Sequence, residues 1–284
     1  LIDDFKEHFP AFDEFLGFIV ASRFAADRKK SYLWILAASD WGKGFLLSIF
    51  KDLNAAVELS VKEIEAMFEG KPVGRRPEDF KRALILAIDE FKTVKSELKQ
   101  LQSEISLAPK HSLTASVEIF TKLFLSAESV ESLVTDHGVE DQFANRLNLI
   151  QGRGEITERF LYNLDPTAYY RSIRGYVAEQ LNHRIKTYQA LGRLQAEREA
   201  AQALDDFMHR HGIDRHCKRF SESLQDVANE AVRYFLSYFY LTTTNRGGSG
   251  IFLENAGKKL EDYLNDHYTD SQVGSFRRRK PEIM

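Results

Sequence analysis

Cysteine is nearly absent: Cys217 stands alone in 284 residues. An internal disulfide and a cysteine-built zinc cluster are thereby excluded, and a reducing cytoplasmic compartment fits. Long apolar runs are missing as well. None approaches the roughly 20 residues that a bilayer-spanning helix needs, so no membrane partner is expected. The first residues, LIDDFKEHFP, lack the basic segment and apolar stretch of a signal peptide. They also lack an initiator Met, as expected of a piece of a longer chain. Strong net charge is absent too: 39 Lys and Arg against 42 Asp and Glu leave −3. A passive nucleic-acid coat would be strongly basic. A motor that touches DNA through one loop need not be, so charge neither proposes nor forbids that partner. No repeat or low-complexity tract is found.

What is present suits a folded protein with a sizeable core: 43% hydrophobic, 12% aromatic and 29% charged residues. Residues 3–30 read as helical, with Phe5, Phe9, Phe12, Phe15, Leu16, Ile19 and Phe24 at helix-like spacing and a break near Pro10. Tyr32–Ala38 has the length of a buried strand, and Phe45–Leu53 is an amphipathic helix. Ala55–Leu59 reads as a second strand, Lys62–Phe68 as a short helix, Gly70–Pro77 as a loop. Ala83–Ile88 is another buried strand, and Val94–Ile105 reads as helix. Short strands follow at Ile105–Leu107, Val117–Phe120 and Leu123–Leu125, then a helix to about Asn145 and a last strand, Leu147–Ile150. Strands of buried type alternating with helices predict an α/β fold with a largely parallel sheet.

After Asp165-Pro166 the character changes. Residues 166–210 are helical, and Val227–Tyr240 is an apolar, aromatic helix. Residues 242–252, TTTNRGGSGIF, have hairpin chemistry, and a further helix covers about 255–266. Helix, hairpin and helix together suggest a winged-helix-like cap. Residues 275–281, SFRRRKP, form a basic tail whose plain reading is a solvated terminus. Three regions result: a helical collar over 1–30, an α/β core over 31–155, and a helical region with a basic tail over 156–284.

Four segments carry chemistry. Ala37-Ala38-Ser39-Asp40-Trp41-Gly42-Lys43-Gly44 lies between a buried strand and a helix, where a P-loop must sit. Its backbone N–H groups and the helix N-terminus would hold phosphate, with Lys43 reaching the β/γ oxygens. Alone, a Gly-Lys after a strand is usually an ordinary turn. ALILAIDE (83–90) is an apolar strand ending in Asp-Glu, the Walker B arrangement. Asp89 would orient a metal and its waters, and Glu90 would polarise the attacking water; alone, it is a core strand followed by solvated acids. Order and spacing join the two, since Lys43 precedes Asp89 by 46 positions with a strand and a helix between. KLFLSAES (122–129) is a strand with a polar tip, where Ser126 or Glu128 would sense the γ-phosphate. FANRLNLI (143–150) sets Arg146 at a helix-to-strand junction, either as a finger into a neighbour's site or as a helix cap.

In this order the segments resemble the superfamily-3 helicases of viruses, phages and mobile elements, above all the primase–helicase proteins of phages and integrated islands. The resemblance covers about 30–155, and ISLAPKHSLTASVEIFTKLFLSAES (105–129) is similar to the family's stretch from a pore hairpin into its sensor strand. It implies a P-loop ATPase core of AAA+ type, ATP with Mg²⁺, a homo-oligomeric ring of six, and single-stranded DNA gripped by its backbone in the pore. The implied setting is replication in a bacterial cytoplasm. It carries Lys43 and Asp89 over as nucleotide residues, with Asp89 holding Mg²⁺ through water; Ser39, Asp40, Trp41, Gly42, Gly44 and Phe45 are the nucleotide-binding positions of the loop around Lys43. Glu90 and Arg146 are carried over as catalytic residues, Ser126 and Glu128 as sensors, Lys110 and His111 as DNA contacts. Two positions depart from the pattern. Gly44 stands where the hydroxyl ligand of Mg²⁺ belongs, and Glu128 where an Asn is usual. These departures leave open a second class, a nucleotide-gated DNA-binding initiator or loader that has lost hydrolysis. A helical assembly protein without nucleotide is the third.

Overall fold

The computed structural model describes residues 1–89, 98, 100–108, 114–127, 134–135, 138–139, 145–213, 262 and 265. Two helices open the chain, α1 (Ile2–His8) and α2 (Phe12–Phe24). Pro10 lies in the turn between them, where its missing N–H costs no helical bond. Next come β1 (Tyr32–Leu36), α3 (Lys43–Asp52), β2 (Ala56–Glu58), α4 (Val61–Phe68), the single turn α5 (Pro77–Phe80) and β3 (Ile85–Ile88). The chain continues through β4 (Glu104–Leu107), β5 (Ala115–Glu118), β6 (Thr121–Ser126), β7 (Val134–Thr135), β8 (Gly138–Val139) and β9 (Leu147–Gln151). The last described elements are α6 (Phe160–Leu164), α7 (Pro166–Ala190) and α8 (Arg193–His211).

Five strands form one parallel sheet in the order β2-β3-β6-β1-β9. The expected α/β class with a parallel sheet is what the structure has. Strands β1, β3 and β6 are buried along their whole length, which explains the unbroken apolar runs of β1 and β3 and the apolar centre of β6, Leu123–Leu125. Alternate side chains feed two cores. Leu33, Ile35, Ala87, Leu123 and Leu125 face the helical layer of α1, α2, α3, α7 and α8. Tyr32, Trp34, Leu86, Ile88 and Phe124 face α4, α5 and the β4–β5 hairpin. The first core runs continuously from Phe5 to Phe207, so the N-terminal helices and α7–α8 share it with the sheet.

Two expectations about helices are corrected. The helix read up to Ile105 cannot include its last two residues, because Glu104 and Ile105 begin β4. There the exposed-buried alternation of Glu104–Leu107 pairs with β5. The helix read towards Asn145 is interrupted by the β7–β8 ladder, built from β-branched Val134, Thr135 and Val139. Residues 166–210, read as helical, are two helices that meet at Leu191-Gly192, where Gly192 takes φ 74°. Half of the residues 94–103, namely 94–97 and 99, lie outside the described residues. So do the helix 227–240, the hairpin 242–252 and the basic tail 275–281; of the helix 255–266 only Asp262 and Asn265 are described.

Candidate phosphate site

Six residues, 37–42, join β1 to α3. Ser39–Trp41 make one 3-10 turn, and Gly42 caps α3 with φ 103°. Only glycine takes that angle without strain, and a Cβ there would press on Ile156 at 3.2 Å. The first backbone bond of the helix runs from Leu46 N–H to the Gly42 carbonyl, 2.9 Å. Among the described residues, no acceptor pairs with the backbone N–H of Gly42, Lys43, Gly44 or Phe45. Four free donors at the positive end of a ten-residue helix are a ready anion seat.

Lys43, the first residue of α3, stands beside that seat. Its side chain is 8% exposed and folds back over the loop, and Nζ donates to the carbonyls of Ala37 at 2.6 Å and Ala38 at 2.7 Å. Burial pushes the ammonium pKa down, while the carboxylates of Asp89 and Asp40 push it up and offset part of that effect. A half-desolvated cation next to free N–H groups favours a ligand of high negative charge.

Asp89 follows β3 and lies at the same end of the sheet, exposed. Because β6 runs between β1 and β3, the loop and Asp89 are two strand spacings apart, roughly 10 Å. That gap can admit phosphates with a hydrated cation. Asp89 also lines a cleft of about 430 Å³ with Glu58, Leu59, Ser60, Glu63 and Arg75. Arg75 is pinned there, donating to Glu63 Oε1 at 3.1 Å and to the Glu58 carbonyl at 2.8 Å.

The other residues singled out from the sequence fall in different places. Ser39, Asp40 and Gly44 are exposed at the mouth of the loop. Trp41 is not: its ring is 2% exposed, stacked on His8 and edge-on to Phe9. Its side chain is core, so any contact of Trp41 with phosphate is through its backbone. Phe45 turns its ring into a cluster of Phe5, Tyr162, Tyr169 and Tyr170. Ser126 ends β6 at the correct edge, but its buried Oγ accepts from Trp34 Nε1 at 2.8 Å, which makes it an anchor between strands. Arg146 precedes β9 and so lies at the opposite end of the sheet. Its charge acts there on Tyr32 and on the buried Lys122, whose Nζ donates to the carbonyls of Arg28 and Gln102. Five strand residues, roughly 16 Å, separate it from the phosphate end. Glu90, Lys110, His111 and Glu128 lie outside the described residues.

Sequence reasoning missed the segment after β9. Gly152 N–H bonds to the Leu36 carbonyl, and a Cβ at Gly152 would stand 2.5 Å from the Trp41 ring and 2.6 Å from Ala37 Cβ. The exposed Arg153 therefore emerges beside the phosphate loop. The run Gly152-Arg153-Gly154 was the available signal: two glycines around an arginine at the end of a buried strand.

No known family's sequence profile matches the chain, and no curated protein matches it. Solved structures match it distantly. The apo structure of the NrS-1 C-terminal region (305–718) aligns at TM-score 0.43 and 15% identity, over 80% of this chain and 55% of that one. An A form of the same apo region aligns at TM-score 0.43 and 13% identity, over 77% and 53%. The chain thus spans about half the length of these structures. At such scores the similarity carries no functional weight. Among the described residues, no helix is long and apolar enough to cross a membrane.

Proposed function

We propose that this chain is a P-loop ATPase that drives single-stranded DNA through a homo-oligomeric ring, a replicative helicase or translocase of a phage or mobile element in a bacterial cytoplasm. The observation that carries the reading is Lys43. It is a buried ammonium held by the Ala37 and Ala38 carbonyls of the β1–α3 loop, at a helix start with four free N–H groups and within the field of Asp89. The order of motifs along the chain supports the finer assignment to superfamily-3 helicases.

On this reading the N–H groups of 42–45 hold the β-phosphate of ATP, and Lys43 leaves the Ala37 and Ala38 carbonyls for the β/γ oxygens. Asp89 orients a hydrated Mg²⁺, and Glu90 accepts the proton of the attacking water. Mg²⁺, when bound, neutralises charge on the phosphoryl oxygens. The donors for phosphate fit well. Those for the metal fit less fully: Asp89 is the carboxylate at hand, and no cluster of three or more His, Cys, Asp or Glu gathers among the described residues. Arg146 is too far along β9 to serve its own subunit, so its catalytic role requires a neighbouring copy. Lys110 and His111 grip the DNA backbone in the pore.

Gly44 favours a second reading, a nucleotide-gated DNA-binding initiator or loader that does not hydrolyse. A single measurement set separates them: ATP binding, ATP turnover and particle size, each with and without single-stranded DNA. The ATPase reading requires DNA-stimulated turnover in a ring-sized particle, lost in Lys43→Ala together with ATP binding. Binding without turnover selects the loader, and no binding at all rejects both.

A further inference from the structure

The phosphate loop is held from beneath by a residue 33 positions away in sequence. His8 ends α1, is 8% exposed, and stacks on the Trp41 ring at 5.3 Å between centroids. Its Nε2 lies 2.7 Å from the Trp41 carbonyl oxygen. A carbonyl only accepts, so Nε2 carries the proton and donates. In a planar trans peptide the C=O of one residue and the N–H of the next point in opposite directions. With the Trp41 carbonyl drawn towards α1, the Gly42 N–H faces away from α1.

The helix start itself is ordinary: Gly42 is the N-cap, its carbonyl accepts the first helical bond from the Leu46 N–H at 2.9 Å, and the N–H groups of the first three helical residues have no helical partner. The loop is also braced from the other side, where Ile156 packs against Gly42. The two braces are tied together: Arg159, three residues beyond Ile156, donates to Asp4 Oδ1 at 2.6 Å, one turn before His8 on α1.

We infer that His8 is a positioning residue for phosphate: it holds the Trp41–Gly42 peptide in the orientation that exposes the Gly42 N–H to a nucleotide's β-phosphate. The inference rests on the P-loop reading and deepens it, assigning the N-terminal helix a part in nucleotide affinity that no sequence motif marks.

Two variants test it. His8→Phe keeps a ring on Trp41 and removes the donor. His8→Gln places an amide N–H where Nε2 was. Kd for ATP, ADP and inorganic tripolyphosphate is measured well below each protein's Tm, along with KM and kcat for ATP. The expected result is about a tenfold loss of affinity for all three ligands in His8→Phe, since one donor orientation is lost. KM should rise with kcat within about twofold, the pattern of lost ground-state binding, and His8→Gln should recover most of the affinity. A general loosening of the fold would lower Tm without rescue by Gln. Parent-like affinity in folded His8→Phe overturns the inference and leaves the P-loop reading standing, whereas failure of the parent protein to bind ATP overturns both. If His8→Phe does not fold, His8→Asn replaces it: its shorter amide cannot reach the carbonyl, and parent-like affinity there is equally fatal.

Discussion

Gly44 is the position where a small perturbation has two separable consequences. It lies in the first turn of α3, exposed, and a Cβ built on it meets nothing within 4 Å. Gly44→Ser therefore introduces no clash. Serine is about 0.5 kcal/mol better than glycine in a helix and alanine about 1 kcal/mol better. At roughly 2–4 °C per kcal/mol for a domain of this size, Tm should rise by about 1–2 °C for Ser and about 2–4 °C for Ala. The second consequence belongs to Ser alone. Its hydroxyl would stand one residue beyond Lys43, where P-loops hold a Mg²⁺ ligand. An added bond to a charged partner contributes about 1.5–3 kcal/mol, so the Mg²⁺ concentration for half-maximal ATP turnover should fall by at least about tenfold. Thermal melts and Mg²⁺ titrations of both variants measure this, with Gly44→Ala as the control for helix stability. If the Ser and Ala variants, both folded, give the same Mg²⁺ curve, position 44 does not face the metal and the loop is misassigned. A fall in Tm for both would show that the space is not open.

Other perturbations probe the rest of the fold. Arg146→Ala should lower turnover by about 10³-fold, on the scale of arginine fingers, with ATP affinity nearly unchanged. Mixing it with Lys43→Ala should restore some activity; no rescue in subunits shown to mix would make Arg146 structural. Lys110→Ala should keep basal ATPase, lose DNA stimulation, and flatten the salt dependence of DNA binding; normal unwinding by that variant would remove the pore assignment. Gly152→Ala drives a Cβ into the Trp41 ring and Ala37, and overpacking of this kind costs about 1–3 kcal/mol; a Tm equal to the parent's would show that the contact yields freely. Asp4 reports the brace between α1 and the segment after β9. Burial alone would raise its pKa, but hydrogen bonds from Arg159 and Tyr169 and the Arg159 charge bring it below the ordinary value. Its stabilisation is thus present above about pH 4 and lost as pH falls through the lowered pKa. Asp4→Asn should cost about 2 kcal/mol at neutral pH, and its stability curve should converge with the parent's in acid; a constant gap across pH would show that the Asp4 charge is not the cause.

Local pattern made much of the core legible. The fully buried strands β1 and β3, and Leu123–Leu125 within β6, announce themselves as apolar runs, because a strand covered on both faces has no polar alternation to show. Gly42-Lys43 after one such run and Asp89 after another were readable for the same reason: each is a short-range neighbour of a strong signal. Failures came where a local signal had two solutions. Ile105–Leu107 reads correctly as a strand, but Glu104 and Ile105 suit a helix end as well as a strand start, and the partner β5 made the choice. For Trp41 the sequence placed the backbone in the loop but not the side chain. Its ring fills space against His8 and Phe9, a contact that exists only once α1 is laid under the loop.

By itself the sequence determined the class of fold, the strand-loop-helix around Lys43 and the acid at the end of β3, since each depends on residues within about ten positions of one another. Strand order belonged to the tertiary structure. It set β6 between β1 and β3, which opened the gap between Lys43 and Asp89, and it placed Arg146 at the far end of β9. It also brought His8, Gly152 and Ile156 against the loop. Nothing in the local pattern around these three residues encodes that convergence, because it follows from packing the helical layer and the last strand onto one sheet. Burial of apolar surface drives that packing, and it is indifferent to separation along the chain.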